Sequence, residues 1–326
     1  MQQPAISAVV PTRGRPALLE RCLDALCRQT LAADRYEIIV VDDGPDAETH
    51  AAVARFAARM TAQAFAIHYV PSHGPHGPAA ARNRGWRYAR SPIIAFTDDD
   101  TQPDSNWLEA GLRAFHAATQ AVTGRIVMPL PEQPTDYELD ASGLARSEFV
   151  TANCFCRKAT LERLGGFDER FRLAWREDSD LHFRLLQAGA EIAHAPDAVV
   201  VHPIRPAPWG VSLRQQKKIM FDALLYRQHR FYYRNRIRRS PRWDYHAAVT
   251  ALLIAPVALV MDAHGVALTA ALAWSGLTGA FFARRLGKTS KRPAHVAEML
   301  VTSALIPPVA VFWRIVGFIK YRAWLA

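Results

Sequence analysis

Cysteine is scarce, with four residues in a chain of 326. Cys22 and Cys27 fall in a stretch of helical spacing, while Cys154 and Cys156 flank Phe155 on one strand face. Neither pair has the spacing of a metal site, and so few thiols do not make a disulfide scaffold. Reduced, structural cysteines in a cytoplasmic setting are the expectation. A secretory signal is also missing, since Met1 to Pro4 is polar and the first apolar run is too short for a signal core. No internal repeat or low-complexity tract is present, which excludes solenoid architectures. Acids are short against bases, 30 to 40, for a net charge of +10. That shortage is local: from Arg205 to Arg242 a single acid, Asp222, stands against eleven Lys or Arg. After Asp244 charge of either sign runs out, with none from Ala247 to Met261 and none from Val266 to Ala283.

Uncharged stretches of this length need an apolar setting. A membrane-spanning helix takes about 20 apolar residues, with a floor near about 17. The second stretch meets this, and the first does so with Tyr245, His246 and the residues around Asp262 in the headgroup zone. Two spans are therefore predicted, near 245–262 and 265–283, rather than a buried hairpin of a soluble domain. Basic residues precede the first and follow the second as Arg284, Arg285, Lys288, Lys291 and Arg292. Both flanks then belong on the cytoplasmic side of an inner (cytoplasmic) membrane, with the preceding domain facing the cytoplasm. Residues 205–243 read as basic amphipathic connecting helices at the membrane surface, and 244–326 as a membrane domain. Residues 297–320 are again apolar, yet Pro307-Pro308 argues against one straight helix. A broken span, a re-entrant pair and an interfacial helix with Trp313, Tyr321 and Trp324 at the headgroups stay open.

The first two hundred residues have another rhythm. Ile93 to Thr97 reads as a short buried parallel strand, and Asp98, Asp99 and Asp100 follow at once. Ligands of open α/β sheets sit beyond the carboxyl ends of strands. Three carboxylates there repel one another unless a cation neutralises them, and a hard divalent ion shared with a phosphate is the simplest resolution. The alternative is a solvated acidic turn. A second strand, Glu37 to Val41, ends in Asp42-Asp43-Gly44. A third, Ile6 to Val10, ends in Pro11-Thr12-Arg13-Gly14-Arg15, whose arginines suit a diphosphate. Further strands are expected at 65–70, 121–128 and 149–156, with helices from Arg15 and near 46–60, 79–89 and 106–117. Alternation of this kind predicts a mostly parallel, doubly wound α/β sheet flanked by helices.

Two later segments add candidates. A loop rich in Gly, Pro and His from Pro71 opens a helix carrying Arg82 and Asn83, and its N-terminus offers N–H groups to an anion. Arg82 suits either a phosphate or one of the Asp98–Asp100 carboxylates. Glu177-Asp178-Ser179-Asp180-Leu181 opens another helix, on which Glu177, Asp180 and Arg184 share a face. The positive end of a helix lowers the pKa of acids and keeps them ionised. An ionised carboxylate facing a sugar hydroxyl is a general-base candidate, with plain helix capping as the alternative. Short strands near 191–193 and 198–201 follow, the second running into His202, a metal or diphosphate contact or a satisfied core histidine.

Six segments in order carry a resemblance: Val9-Val10-Pro11-Thr12-Arg13, Val40-Val41-Asp42-Asp43-Gly44, Ala81-Arg82-Asn83-Arg84-Gly85, Phe96-Thr97-Asp98-Asp99-Asp100, Gly165-Gly166-Phe167-Asp168-Glu169 and Glu177-Asp178-Ser179-Asp180-Leu181. Together they resemble the motif series of family 2 glycosyltransferases. The resemblance implies a GT-A (Rossmann-like) catalytic domain over 1–204, a nucleotide-sugar donor of UDP or GDP type, a divalent metal (Mg or Mn), and inversion at the anomeric carbon. It implies that Asp42 meets the nucleobase, with Thr12 and Arg13 lining that pocket beside Pro11 and Asp43. Arg82, Asn83, Asp98 and Asp99 complete the donor set, and Asp100, Asp98 and His202 the metal set. Asp178 becomes the base, with Glu177 its neighbour. Processive members carry Q-x-x-R-W after the base, which Arg214-Gln215-Gln216-Lys217-Lys218 does not match, so addition of one sugar is expected.

Two other readings compete. A sugar nucleotidyltransferase shares sheet and metal chemistry but needs no acceptor base of the Asp178 kind. A nucleic-acid-binding protein could use the basic block, with Tyr226, Phe231, Tyr232 and Tyr233 stacking on bases. The adjoining apolar stretches favour membrane-interface aromatics instead. The expected partners are therefore the donor, an acceptor glycan or lipid, and a membrane, and no nucleic acid.

Overall fold

A computed structural model describes residues 3–60 and 66–323. It divides into two units, Met1–Pro129 with Gly143–Pro203, and Leu130–Ser142 with Ile204–Ala326.

The first unit opens as β1 (Ile6–Thr12), α1 (Pro16–Leu26), β2 (Tyr36–Asp42), α2 (Ala47–Met60), β3 (Ala66–Pro71), α3 (Pro78–Tyr88) and β4 (Ile93–Phe96). It continues through β5 (Gln102–Pro103), α4 (Trp107–Arg113) and β6 (Thr119–Val127). The chain then leaves to form α5 (Asp136–Ala141) in the second unit. It returns for β7 (Cys154–Arg157), α6 (Lys158–Leu164), α7 (Glu177–Gln187) and β8 (Glu191–Val201). All eight strands form one sheet in the order β3-β2-β1-β4-β7-β6-β8-β5. The expected α/β sheet is present and mostly parallel, with β7 and β5 running antiparallel to their neighbours.

Alternation along β1 explains the two-sided core. Ile6, Ala8 and Val10 pack with Leu19, Leu23 and Trp107 on one face, while Val9 packs with Ile39, Val41, Ala81 and Trp86 on the other. Every residue of β2 is buried, as both faces of a central parallel strand require. Cys154 and Cys156 share one face of β7, as expected. Two boundaries differ. The two short strands expected near 191–193 and 198–201 are one strand, whose pairing with β6 slips between Gly124 and Arg125. The strand expected from Phe149 begins only at Cys154, because Asn153 turns its side chain onto the backbones of Arg125 and Ala198. Phe65, expected to begin the third strand, lies outside the described residues.

The second unit contains α5, α8 (Val211–Gln215), α9 (Met220–Gln228), α10 (Arg230–Tyr232), α11 (Trp243–Val260), α12 (His264–Gly287) and α13 (Pro293–Tyr321). The last three are each long and apolar enough to cross a membrane. α5 was not anticipated, although Thr135 and Glu138 form a complete capping box at its start. Its Asp136 is taken up by the half-buried Arg285. Every N–H of that guanidinium is bonded: Nε and Nη2 to the Asp136 carboxylate at 3.3 and 2.7 Å, Nη1 to the hydroxyls of Thr302 and Ser303 at 2.8 and 2.9 Å, and Nη2 to Ser212 at 3.4 Å.

Pro307 and Pro308 do not break the third apolar segment, which is one continuous helix. Each proline forfeits one backbone hydrogen bond, but a stripe of buried residues three or four apart, including Met299, Ile306, Ala310 and Gly317, packs the helix against its own unit and holds it together. Tyr321, which the interfacial reading put at the headgroups, is buried within its unit, its ring 6.1 Å from that of Phe221. Trp324 lies outside the described residues.

Candidate functional site

The carboxyl ends of β2 and β4 deliver their acids, and that of β1 its Thr12 and arginines, to one edge, but the acids face different ways. After β4 the chain turns sharply, with the Thr101 N–H and hydroxyl both donating to the Asp98 carbonyl at 3.2 and 2.7 Å. That turn splits the aspartate triplet. Asp99 points inward and is fully buried; Thr12 donates to it at 2.7 Å and the Arg15 guanidinium stands 2.9 Å away. Burial pushes Asp99 up to about 7 against the pull of Arg15 and Thr12, with Asp100 and Asp98 adding to the rise. Asp98 and Asp100 turn the other way, toward His202 at the end of β8. One potential ligand atom from each of the three lies within 4.8 Å of the others.

Those three residues fit a divalent cation. Two carboxylates and an imidazole suit a hard or borderline divalent ion; His202 turns its Nε2 to the Asp100 carboxylate at 3.7 Å, while its Nδ1 is buried with no hydrogen-bond partner. Burial would raise the Asp98 carboxyl, but Arg82, His202 and Arg15 outweigh it and hold it below its usual range. A solvated acidic turn, the alternative drawn from the sequence, is excluded by the burial of Asp99 and Asp100, at 0% and 9% exposed.

Arg82 joins this cluster to a second one. On α3 and itself buried, it donates from Nη2 to Asp98 at 2.6 Å and from Nη1 to Glu177 at 3.1 Å. The carboxylate clamp that the sequence offered for Arg82 is present. Glu177 and the half-buried Asp178 open α7. Arg176, which precedes them, holds a left-handed backbone at φ 77° that a non-glycine residue adopts only when its surroundings enforce it. The helix end was expected to keep these acids ionised by lowering their pKa, and the structure reverses that direction. Burial raises Glu177 to about 7, with Asp178 adding to it and Arg82 opposing. Burial also raises Asp178, although the Ser179 N–H, at 2.6 Å, and Arg176 pull against it. Desolvation here outweighs the helix dipole. Asp180 is not part of the cluster, being held by Arg184 one turn on, at 2.6 and 2.9 Å.

The remaining donor-set residues divide between rim and support. Asp42 is fully buried, and its oxygens accept from Tyr69 at 2.9 Å and from the N–H groups of Gly44 and Asp46 at 3.2 and 3.3 Å. Asp43 accepts from the Gly77 N–H at 2.9 Å and lies 3.5 Å from the exposed Arg13. Pro11 is half-buried beside them at the end of β1. Asn83 has no capacity left for a ligand: its amide donates to Phe167 and Glu169, each at 2.8 Å, and accepts from the Phe167 N–H and Trp86 at 2.8 and 2.9 Å. Its partner loop needs glycine at 166, where φ is +73° and a Cβ would stand 2.3 Å from the Asn83 oxygen. Sequence reasoning missed Tyr69 and the particular attachment of Arg15 to Asp99, since no motif links residues so far apart.

The family model described as Glycosyl transferase family 2 matches residues 7–171, just over half the chain, and that of Glycosyl transferase family group 2 matches 93–316. The chain belongs to glycosyl transferase family 2. Among relatives, glycosyltransferase AglE of Haloferax volcanii is 26% identical over 66% of this chain and 72% of its own length. The pre-mycofactocin glycosyltransferase of Mycobacterium tuberculosis is 30% identical over 61% of this chain, which spans only 43% of that longer protein. Validoxylamine A glucosyltransferase of Streptomyces hygroscopicus is 30% identical over 56% of this chain and 51% of its own. Among solved structures, the mannosyltransferase PcManGT of Pyrobaculum calidifontis, in complex with GDP-Man and Mn2+, is similar with a TM-score of 0.55 at 21% identity. The match covers 99% of this chain and 88% of that one. That likeness is one of fold, and the fold is GT-A with three apolar C-terminal helices. The protein is a glycosyltransferase.

Proposed function

We propose that this glycosyltransferase moves one sugar from a nucleotide-diphosphate sugar to an acceptor hydroxyl, with inversion and with a divalent metal, Mg or Mn, at the cytoplasmic face of a membrane. The observation that carries the reading is the union of Asp98, Asp100 and His202 with Glu177 and Asp178 through one buried arginine. Asp98, Asp100 and His202 would hold the cation, which when bound supplies neutralisation of the charge on the departing diphosphate. Asp178 takes the proton from the acceptor hydroxyl. Its raised pKa suits a base working near neutral pH, and such a base is worth about 10²–10⁴-fold in rate. The hydroxyl oxygen then attacks the anomeric carbon opposite the leaving nucleoside diphosphate, which inverts that centre. Pro11, Arg13 and Asp43 form the rim met by the nucleoside, while Asp42, Thr12, Asp99 and Asn83 brace the strand ends behind it. The GDP-Man and Mn2+ of the Pyrobaculum protein support a donor and a cation of these classes. The missing Q-x-x-R-W segment supports single addition.

For the membrane, we read α11 and α12 as a spanning hairpin with both basic flanks in the cytoplasm, and α13 as an interfacial helix. Thr302 and Ser303 of α13 bond Arg285 at the basic end of α12. Farther along α13, Trp313 sits 5.6 Å under Lys217, and the Tyr321 carbonyl accepts from Arg227 at 2.6 Å, both partners lying in the basic block. A helix anchored to the same polar layer near its first third and again at its C-terminal end runs along that layer rather than across the bilayer. Leu300, Leu305, Phe312 and Ile319 are left exposed for the acyl boundary. An acceptor glycan or lipid held at that surface is the matching substrate.

Detergent-solubilised full-length protein, offered a panel of UDP- and GDP-sugars with Mn2+ or Mg2+, should turn over one donor in a metal-dependent way. Asp100→Ala should lose that turnover. Asp178→Asn should still bind donor yet not transfer, and transfer at the parent rate would remove Asp178 as the base. Turnover indifferent to a chelator would remove the metal.

A further inference from the structure

Arg82 does more than fill space between two acids. It is 3% exposed, and it holds Asp98 and Glu177, residues 16 positions after it and 95 after it, with separate nitrogens. Beside these contacts two buried atoms have no hydrogen-bond partner: Nε of Arg82 and Oε2 of Glu177. A guanidinium and a carboxylate pair best as a two-point fork. Glu177 keeps its second oxygen in reserve, so a small rotation that carries Nη2 from Asp98 to Oε2 exchanges one bond to each acid for an end-on fork of two bonds to Glu177.

We propose that Arg82 is a positioning residue that couples the cation site to the acceptor base. This rests on the reading of Asp98 as a cation ligand and Asp178 as the base. A cation at Asp98 competes for its carboxylate and repels the guanidinium. Arg82 then closes its fork on Glu177. Glu177 is the first residue of α7, entered through the strained backbone of Arg176, and Asp178 follows it directly. Tightening the Arg82–Glu177 pair therefore steadies the helix turn that presents the base. By reciprocity, whatever strengthens the hold of Glu177 on Arg82 frees Asp98 and favours the cation.

Direct attraction between Glu177 and a cation is the rival account, and a double-mutant cycle separates the two. Mn2+ affinity is measured by electron paramagnetic resonance of the free ion, on full-length solubilised protein without donor. Glu177→Gln should weaken Mn2+ binding about fivefold in the parent, and change it within about twofold once Arg82→Met is present. Direct attraction gives the same loss in both backgrounds and overturns the proposal. Amide exchange over residues 176–181 should slow with Mn2+ in the parent and not in Arg82→Met; slowing that persists without Arg82 also overturns it. Where Arg82→Met does not fold, Arg82→Lys serves, since one ammonium cannot form the fork. A parent that binds no Mn2+, or an Asp100→Ala variant that binds it as the parent does, sinks the cation reading and this coupling with it. Intact binding with no coupling sinks the coupling alone.

Discussion

Gly85 offers a sharp test of how the site is held. It lies on α3, three residues after Arg82, where the helix presses on β1 and β2. A Cβ at this position would stand 2.3 Å from Val9 Cγ1 and 3.0 Å from Val41 Cγ2. Carbon atoms in contact settle at about 3.5–4.0 Å, so Gly85→Ala asks α3 to retreat by about 1 Å. Two terms oppose each other. Alanine in a helix interior gains about 1 kcal/mol over glycine. Overpacking a core site costs about 1–3 kcal/mol. Val9 and Val41 are both fully buried and β-branched, with no open space to rotate into, which places the cost at the upper end. The net is a destabilisation of about 1–2 kcal/mol, or a fall of about 3–6 °C in the melting of the catalytic unit.

The effect on transfer should be larger than the effect on stability. Retreat of α3 draws Arg82 away from Asp98, now at 2.6 Å, and from Glu177. A misplacement of about 1 Å can cost about 10²-fold in rate. Donor turnover and thermal melting should be recorded for the parent, Gly85→Ala, Val9→Ala and the double variant. Val9→Ala deletes the atom at 2.3 Å, so the double variant should recover most of the turnover that Gly85→Ala loses. Should Gly85→Ala melt at or above the parent and turn over donor at the parent rate, the account of α3 as a tightly seated carrier of Arg82 is wrong.

Two further outcomes are expected. Glu37, 1% exposed at the start of β2, accepts from Ser7 at 2.6 Å and from two nitrogens of Arg90 at 2.8 Å, with His68 3.3 Å away. Burial alone would raise its pKa, but these partners bring it from 4.5 to about 2. The folded state then binds fewer protons than the unfolded state between those values, so about 3 kcal/mol of stability is complete above about pH 4.5 and lost as pH falls toward 2. Denaturant midpoints followed across that window should fall in the parent and flatten in Glu37→Gln, and equal slopes would refute the linkage. For the membrane arrangement, Lys320→Cys should resist an impermeant thiol reagent applied outside spheroplasts while Asp262→Cys reacts. Labelling of both from outside would make α13 a third span.

Much of the first unit was legible because burial on both faces turns central parallel strands into unbroken apolar runs. Residues 37–41 and 93–97 read as strands because acids close each run, and the observed strands are Tyr36–Asp42 and Ile93–Phe96. Legibility fails where the backbone departs from regular pairing. β8 slips against β6 near Gly124, so its apolar pattern breaks in the middle and reads as two short strands. β5 is two residues long and leaves no periodic signal. Pro307-Pro308 misled for a different reason. Local chemistry says that prolines interrupt a helix, but the stripe from Met299 to Gly317 is a tertiary fact, and packing along it outweighs two missing hydrogen bonds.

The site shows the same division at finer grain. Acids at strand ends are visible in one dimension, because position in a parallel sheet alone says which end faces a ligand. What each acid does depends on partners that no spacing rule connects. Three consecutive aspartates look equivalent as letters, yet the turn at Thr101 sends Asp99 inward to Thr12 and Arg15 while Asp98 and Asp100 meet His202, about a hundred residues on. The reversed pKa shifts of Glu177 and Asp178 have the same origin. A helix N-terminus is a local feature and favours ionisation; desolvation is set by everything packed around it and wins here, leaving Glu177 near 7 beside its arginine. The base proposed at Asp178 gains from a shift in the same direction, since a carboxylate that binds its proton more tightly is the better acceptor of one. Charge at this site is therefore tuned by burial and by the two arginines, Arg15 and Arg82, rather than by the motifs that announce it.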